Sequence, residues 1–325
     1  MQAAWYEHNG AAAQVLHVGE METPEPGLNE VRVKIHTSGV NPSDVKSRRG
    51  RPLMWPRIIP HSDGAGVIDA VGKGVDHARI GERVWIWNGQ WKRPFGTAAE
   101  YCVLPAEQAV HLPSKIDFAT GACLGIPALT ALQALRLLGP VGGKTLLITG
   151  AGSSVGYYAS QFAKARGARV IGTASAAKAE HARSGGADFV VDYQNKDVAK
   201  VVKDLTKGKG VDGIIDMDLS STARLIAEAV MAPHGTMVCY GSNQPTDIAL
   251  NFLALLWNSY TLKFFLLYEL KPEDRKATIA ELTKALEDGG IRHSIGPRFL
   301  LRDIARAHEE VEAGRSVGNV VLDVG

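Results

Sequence analysis

At 325 residues the chain has room for about two domains of ordinary size. Hydrophobic residues make up 45% and charged residues 22%, the mix of a globular protein, and a formal charge of +2 without a basic block argues against nucleic acid as the main ligand. Three cysteines, Cys102, Cys123 and Cys239, none in a C-x-x-C pair, exclude a disulfide framework and fit buried thiols in a reduced cytoplasmic compartment.

Taken from the N-terminus, residues 1–10 hold Glu7 and His8 and no apolar core, so they do not read as a signal peptide. A β-rich region follows. Residues 31–36 alternate apolar and polar, and glycine-bounded strand-like runs occupy 66–71, 83–87 and 99–104, a pattern that predicts a barrel or sandwich. Trp85 and Trp87 share one face of a predicted strand and are expected in the barrel core. Trp55 and Trp91 fall in loops and are candidates for a flat binding slot.

Near residue 125 the texture changes. Apolar runs at 145–149, 169–173, 189–193, 213–217, 236–240 and 262–267 alternate with helix-like segments at 155–166, 176–185, 197–207, 219–231 and 251–257. Near-continuous apolar strands joined by helices describe a parallel sheet covered on both faces. Residues 250–268 are the best membrane candidate, but Asn251, Asn258 and Lys263 interrupt the stretch, so it reads as a short helix and then a buried strand. Two helices, 272–288 and 301–313, and a closing strand, 319–324, are too short for a domain and are expected to return to the first one.

The first strand of the α/β region runs into Gly150, Ala151, Gly152, Ser153, Ser154, Val155 and Gly156, and then into a helix. Glycines at such a turn let backbone N–H groups approach a pyrophosphate at the helix N-terminus. An NAD enzyme usually places an acid about 20 residues further on to bind the ribose hydroxyls. Here the segment 172–178 holds Ser175 and Lys178 and no acid. A hydroxyl and an ammonium suit the additional phosphate of NADPH, although a helix-capping serine and a solvated lysine would look the same.

With these features in place the chain resembles the zeta-crystallin-type quinone oxidoreductases of the medium-chain dehydrogenase/reductase superfamily over nearly its whole length. The markers are Gly39-Val40-Asn41-Pro42-Ser43-Asp44, Ser62-Asp63-Gly64-Ala65-Gly66-Val67, Pro127-Ala128-Leu129-Thr130-Ala131, the glycine turn, and Gly318-Asn319-Val320-Val321-Leu322. The resemblance implies an α/β chain: a GroES-like domain over 1–124, completed by 268–325, and a doubly wound Rossmann domain of six parallel strands over 125–267. It also implies that Tyr193 joins Ser175 and Lys178 at the adenosine phosphate. Asn41 and Thr130 would face the nicotinamide region, and Ser242, at the end of the fifth strand, would lie near the cofactor. Three positions depart from the family. Ser153 and His61 stand where glycine is common, and Asn319 stands where lysine is common, which weakens a terminal cofactor contact.

The zinc alcohol dehydrogenases of the superfamily carry a cysteine where Asn41 stands and His-Glu where Ser62-Asp63 stand. No catalytic metal is therefore expected. The implied activity is hydride transfer from NADPH to a quinone, with Asn41 as a donor to the acceptor oxygen and Asp44 and Lys46 as polar neighbours. Asp44 could equally cap a helix, and Lys46 could simply be solvated. A double-bond reductase of α,β-unsaturated ketones or aldehydes is the alternative, and a non-catalytic NADPH-binding structural or nucleic-acid-binding protein is a third class. The apolar strand at 262–267 is expected to be covered by a second copy, giving a homodimer or homotetramer.

Overall fold

A computed structural model describes every residue of the chain except Pro245. The chain divides into two compact units, Met1–Ile126 with His293–Gly325, and Pro127–Arg292.

The first unit is built on a seven-stranded sheet. Glu30–Val40 is its longest strand, flanked by Asp63–Val71, Asn319–Asp323 and Tyr101–Pro105, all antiparallel to it. Arg83–Ile86 and Ala109–His111 extend one edge, and Ile295–Leu300 lies at the other. Alternation in Glu30–Val40 places Val31, Val33 and Ile35 inward at 0–1% exposure, where they pack with Ile68, Val84, Ile86 and Leu104. Trp85 is fully buried in this unit, as expected, whereas Trp87 is half-buried. Trp55 packs on Tyr6, Val15 and Ile58. The helix Pro42–Gly50, with proline in its first turn and Asn41 at its N-cap, leaves the end of the long strand.

The second unit carries six parallel strands in the spatial order Phe189–Asp192, Arg169–Ala174, Thr145–Ile148, Val211–Asp216, Met231–Cys239, Thr261–Phe264. In chain order this is 3-2-1-4-5-6, the doubly wound arrangement. Leu146, Leu147 and Ile148 on the central strand are at most 1% exposed. Complete burial of each contributes about 1.5–3 kcal/mol, which explains the unbroken apolar run.

Two expectations are corrected. The helix Pro272–Asp288 stays with the parallel sheet: it buries Leu282 and Leu286, its Arg275 donates to Leu267 O, and Asp274 and Glu281 pair with Arg136 and Arg166. The return to the first unit therefore begins at His293 rather than near residue 268. The last parallel strand is also not buried. It ends at Phe264, which is 60% exposed at the sheet edge. No helix among the described residues is long and apolar enough to cross a membrane.

Candidate functional site

The carboxyl ends of the parallel strands bring together most of the residues expected to hold a dinucleotide. Gly150 follows Thr145–Ile148 with φ +67, a left-handed conformation, and a Cβ there would lie 2.0 Å from Met217 Sδ. A Cβ on Gly156 would lie 2.2 Å from Gly150 O, so only glycine lets the helix Ser154–Ala165 pack this tightly under the turn. Two bonds tie the turn to the neighbouring strand: Gly150 N donates to Thr173 Oγ1 at 3.0 Å and Ala151 N to Thr173 O at 2.8 Å. Ser153 is the N-cap, its hydroxyl accepting from Gly156 N at 3.2 Å. Ser154 and Val155 open the helix.

Lys178 stands beside this turn, since a Cβ on Gly152 would lie 2.7 Å from the Lys178 Cβ. Ser175 occupies the N-cap position of the short 3-10 segment Ala176–Lys178, but its hydroxyl makes no capping bond. Tyr193, half exposed at 53%, follows Phe189–Asp192 on the same edge of the sheet. Ser242 lies beyond Met231–Cys239, with its hydroxyl donating to Gln244 O at 2.8 Å, and lines a cavity of about 480 Å³ with Tyr240 and Phe265. Thr130 is buried in the first turn of Leu129–Leu138.

The other expected residues lie in the first unit. Asp44 is the third residue of Pro42–Gly50, and its carboxylate accepts from Asn41 N at 2.8 Å in a capping box. Burial pushes the Asp44 carboxyl up to about 7 despite hydrogen bonds from the Asn41 and Ser62 backbones. Asn41 Nδ2 donates to Asp63 Oδ2 at 2.9 Å, and Ile126 N donates to the same oxygen at 2.9 Å. Because a carboxylate only accepts, the amide nitrogen of Asn41 faces Asp63, and the Asn41 side chain also bonds the Asp44 carboxyl. Lys46 lies on the exposed side of this helix. Asn319 is buried on its strand, and both its backbone N and its Nδ2 donate to Ser294 O, at 2.8 and 3.0 Å, which leaves Oδ1 and one side-chain N–H for any other contact.

Sequence reasoning did not single out Asp63 as the partner of Asn41, Thr149 and Asp216 at the centre of the sheet, or His308. Each acts on a residue far away in the chain, so no local spacing marks it. Burial raises the Cys102 and Cys239 thiols to about 12 and Cys123 well above its ordinary range, so none of them is a ready nucleophile. Among the described residues no group of three or more His, Cys, Asp or Glu side chains is placed to hold a metal ion.

Residues 27–114 match the family model described as alcohol dehydrogenase GroES-like domain, and residues 154–284 match that described as zinc-binding dehydrogenase. The chain is 36% identical over 318 residues to a quinone oxidoreductase of Pseudomonas aeruginosa, covering 95% of each protein. It superposes on a solved Escherichia coli quinone oxidoreductase complexed with NADPH with a TM-score of 0.89 and 27% identity, over the whole of both chains. A solved NAD-dependent alcohol dehydrogenase is equally similar in shape, at a TM-score of 0.89 and 30% identity over both full lengths.

Proposed function

The chain belongs to the zeta-crystallin-type quinone oxidoreductases of the medium-chain dehydrogenase/reductase superfamily, and from that premise we propose how its own residues carry hydride transfer from NADPH to a quinone. The observation that carries the cofactor assignment is the glycine turn with Lys178 and Ser175 beside it, and no acid at the end of Arg169–Ala174. Bound NADPH supplies the hydride, and the quinone takes it with one proton from solvent to become the hydroquinone.

Lys178, Ser175 and Tyr193 hold the adenosine phosphate by charge and hydrogen bonding. The backbone from Gly150 to Gly156, including Gly152, Ser153, Ser154 and Val155, receives the pyrophosphate. Thr130 borders the nicotinamide, Ser242 lies near the cofactor, and Asn319 offers its Oδ1 and one side-chain N–H. The side-chain amide of Asn41 donates to the acceptor oxygen as negative charge develops there. Asp44 shapes this donor through the helix cap, and Lys46 lends positive charge. A quinone is already a strong hydride acceptor with a delocalised product anion, so holding it in register supplies most of the catalysis.

The edge strand Thr261–Phe264 pairs on one side only, and Phe264 and Leu266 are 60% and 50% exposed there. A second copy of the chain covers this edge, giving a homodimer or a tetramer of such dimers. Three free, buried thiols support a reduced cytoplasmic location.

Following NADPH absorbance against a panel of quinones, enones and primary alcohols tests the activity. Quinone turnover supports it. Turnover of enones alone would make the chain a double-bond reductase. Sedimentation showing only monomer at micromolar concentration would remove the dimer.

A further inference from the structure

His61 has φ +79, a left-handed backbone that suits glycine and strains any L side chain, and yet its imidazole is completely buried. Its Nδ1 lies 2.9 Å from Ser38 Oγ and its Nε2 lies 2.9 Å from Nε2 of His308, which is also completely buried. Ser38 Oγ lies 2.8 Å from Thr97 Oγ1, and Thr97 Oγ1 lies 2.5 Å from Asp63 O. These five residues form one continuous chain that ends on the residue holding Asn41.

The chain has a direction, and its last member sets it. A backbone carbonyl can only accept, so Thr97 donates to Asp63 O. With its single hydrogen used, Thr97 accepts from Ser38. Ser38 in turn accepts from Nδ1–H of His61. A neutral His61 carries no second hydrogen, so its Nε2 is a lone pair that His308 Nε2–H fills. His308 Nδ1 is left as a buried lone pair with no hydrogen-bond partner among the described residues. Burial opposes protonation of His308, and the neighbouring His61 and the completely buried Arg48 guanidinium add to this.

We infer that His61 and His308 are positioning residues for the Asn41–Asp63 donor, acting through this one-way hydrogen-bond chain. The inference rests on the reading of Asn41 as the donor to the acceptor oxygen. The peptide at His61 is held from both sides, because His61 O also accepts from Thr97 N at 3.1 Å. Asp63 leaves this strained turn with its carbonyl bound to Thr97 and its carboxylate bound to Asn41 Nδ2 and Ile126 N. Without the donor on His308, the Nε2 lone pair of His61 is orphaned, the strain at the turn loses its compensation, and the carboxylate that aims Asn41 shifts.

The test uses the full-length enzyme. His308→Leu removes the donor, whereas His308→Gln retains an N–H at similar reach. His308→Leu is expected to lower quinone kcat on the order of tenfold to a hundredfold, as sub-ångström misplacement of a catalytic donor does. The KM for NADPH stays the same, and His308→Gln restores kcat to within a few-fold. His61→Gly relieves the strained backbone, so it keeps the test open if His308→Leu does not fold, and it too is expected to lose kcat. In ¹⁵N-histidine NMR of the unmodified enzyme at pH 7, His61 should carry its proton on Nδ1 and His308 on Nε2, both neutral. Opposite tautomers, an imidazolium, or a folded His61→Gly or His308→Leu enzyme with unchanged kcat would overturn the inference. An unmodified enzyme that reduces no quinone would defeat the functional reading instead, while the NMR result would still decide the hydrogen-bond chain.

Discussion

The hydroxyl of Thr149 donates to Asp216 Oδ1 at 2.8 Å and accepts from Met217 N at 3.0 Å, clasping the two central strands at the point where the strand order reverses. Asp216 is completely buried and its other oxygen has no hydrogen-bond partner among the described residues, so burial raises its pKa although Thr149 opposes the rise. Thr149→Val orphans both Asp216 Oδ1 and Met217 N. It is expected to cost about 1–3 kcal/mol in urea unfolding, and to weaken NADPH because the side chain of Met217 abuts Gly150. A variant as stable as the parent would show that the clasp contributes nothing.

Lys178→Ala removes a charge-assisted contact worth roughly 1.5–3 kcal/mol. NADPH should bind at least about tenfold more weakly and NADH almost as before, since every 1.4 kcal/mol is about a factor of ten. Titration of both cofactors by fluorescence checks this. Equal losses for the two would mean that Lys178 does not read the phosphate.

Acid stability should depend on His61. Burial lowers its pKa from the ordinary 6.5 to about 3, so below pH 6.5 the unfolded chain takes up a proton that the folded chain refuses. The stabilisation is therefore complete above pH 6.5 and is lost as pH falls toward 3, at up to about 1.4 kcal/mol per pH unit. His308 acts in the same sense. Asp44, raised to about 7, acts in the opposite sense: its contribution is present below 3.8 and is lost as pH rises through 7. His61→Gly keeps Asp44, so its stability should fall less than the parent's between pH 7 and pH 4.5. Parallel urea curves for the two proteins at both pH values would contradict this assignment.

Quinone reduction should survive dialysis against a strong chelator, with metal content followed by elemental analysis. Asn41 and Ser62-Asp63 offer no set of ligands of the type that zinc requires, and primary alcohols, which need a Lewis acid, should be poor substrates. Quinone activity that vanished on chelation and returned with zinc would refute the metal-free mechanism.

Much of the fold was legible because strand burial and helix spacing are local signals. The run at 145–149 and the amphipathic stretch at 272–288 became Thr145–Ile148 and Pro272–Asp288. The glycine turn was legible for the same reason, since φ and close packing at Gly150 and Gly156 are demands on single positions. The side to which 272–288 belongs was not, because its partners Arg136 and Arg166 lie more than a hundred residues earlier.

At the sites the division follows the same physics. The sequence by itself determined the residue types: a glycine-rich turn between a strand and a helix, a hydroxyl and an ammonium instead of an acid, and an amide and a carboxylate where a metal enzyme has its ligands. Only the tertiary structure decided what each group is bonded to. Asn41 and Asp63 are 22 residues apart, and His61 and His308 are 247 apart. A hydrogen bond acts over about 3 Å, so such pairs exist only once the sheet of the first unit has brought their strands and helices together.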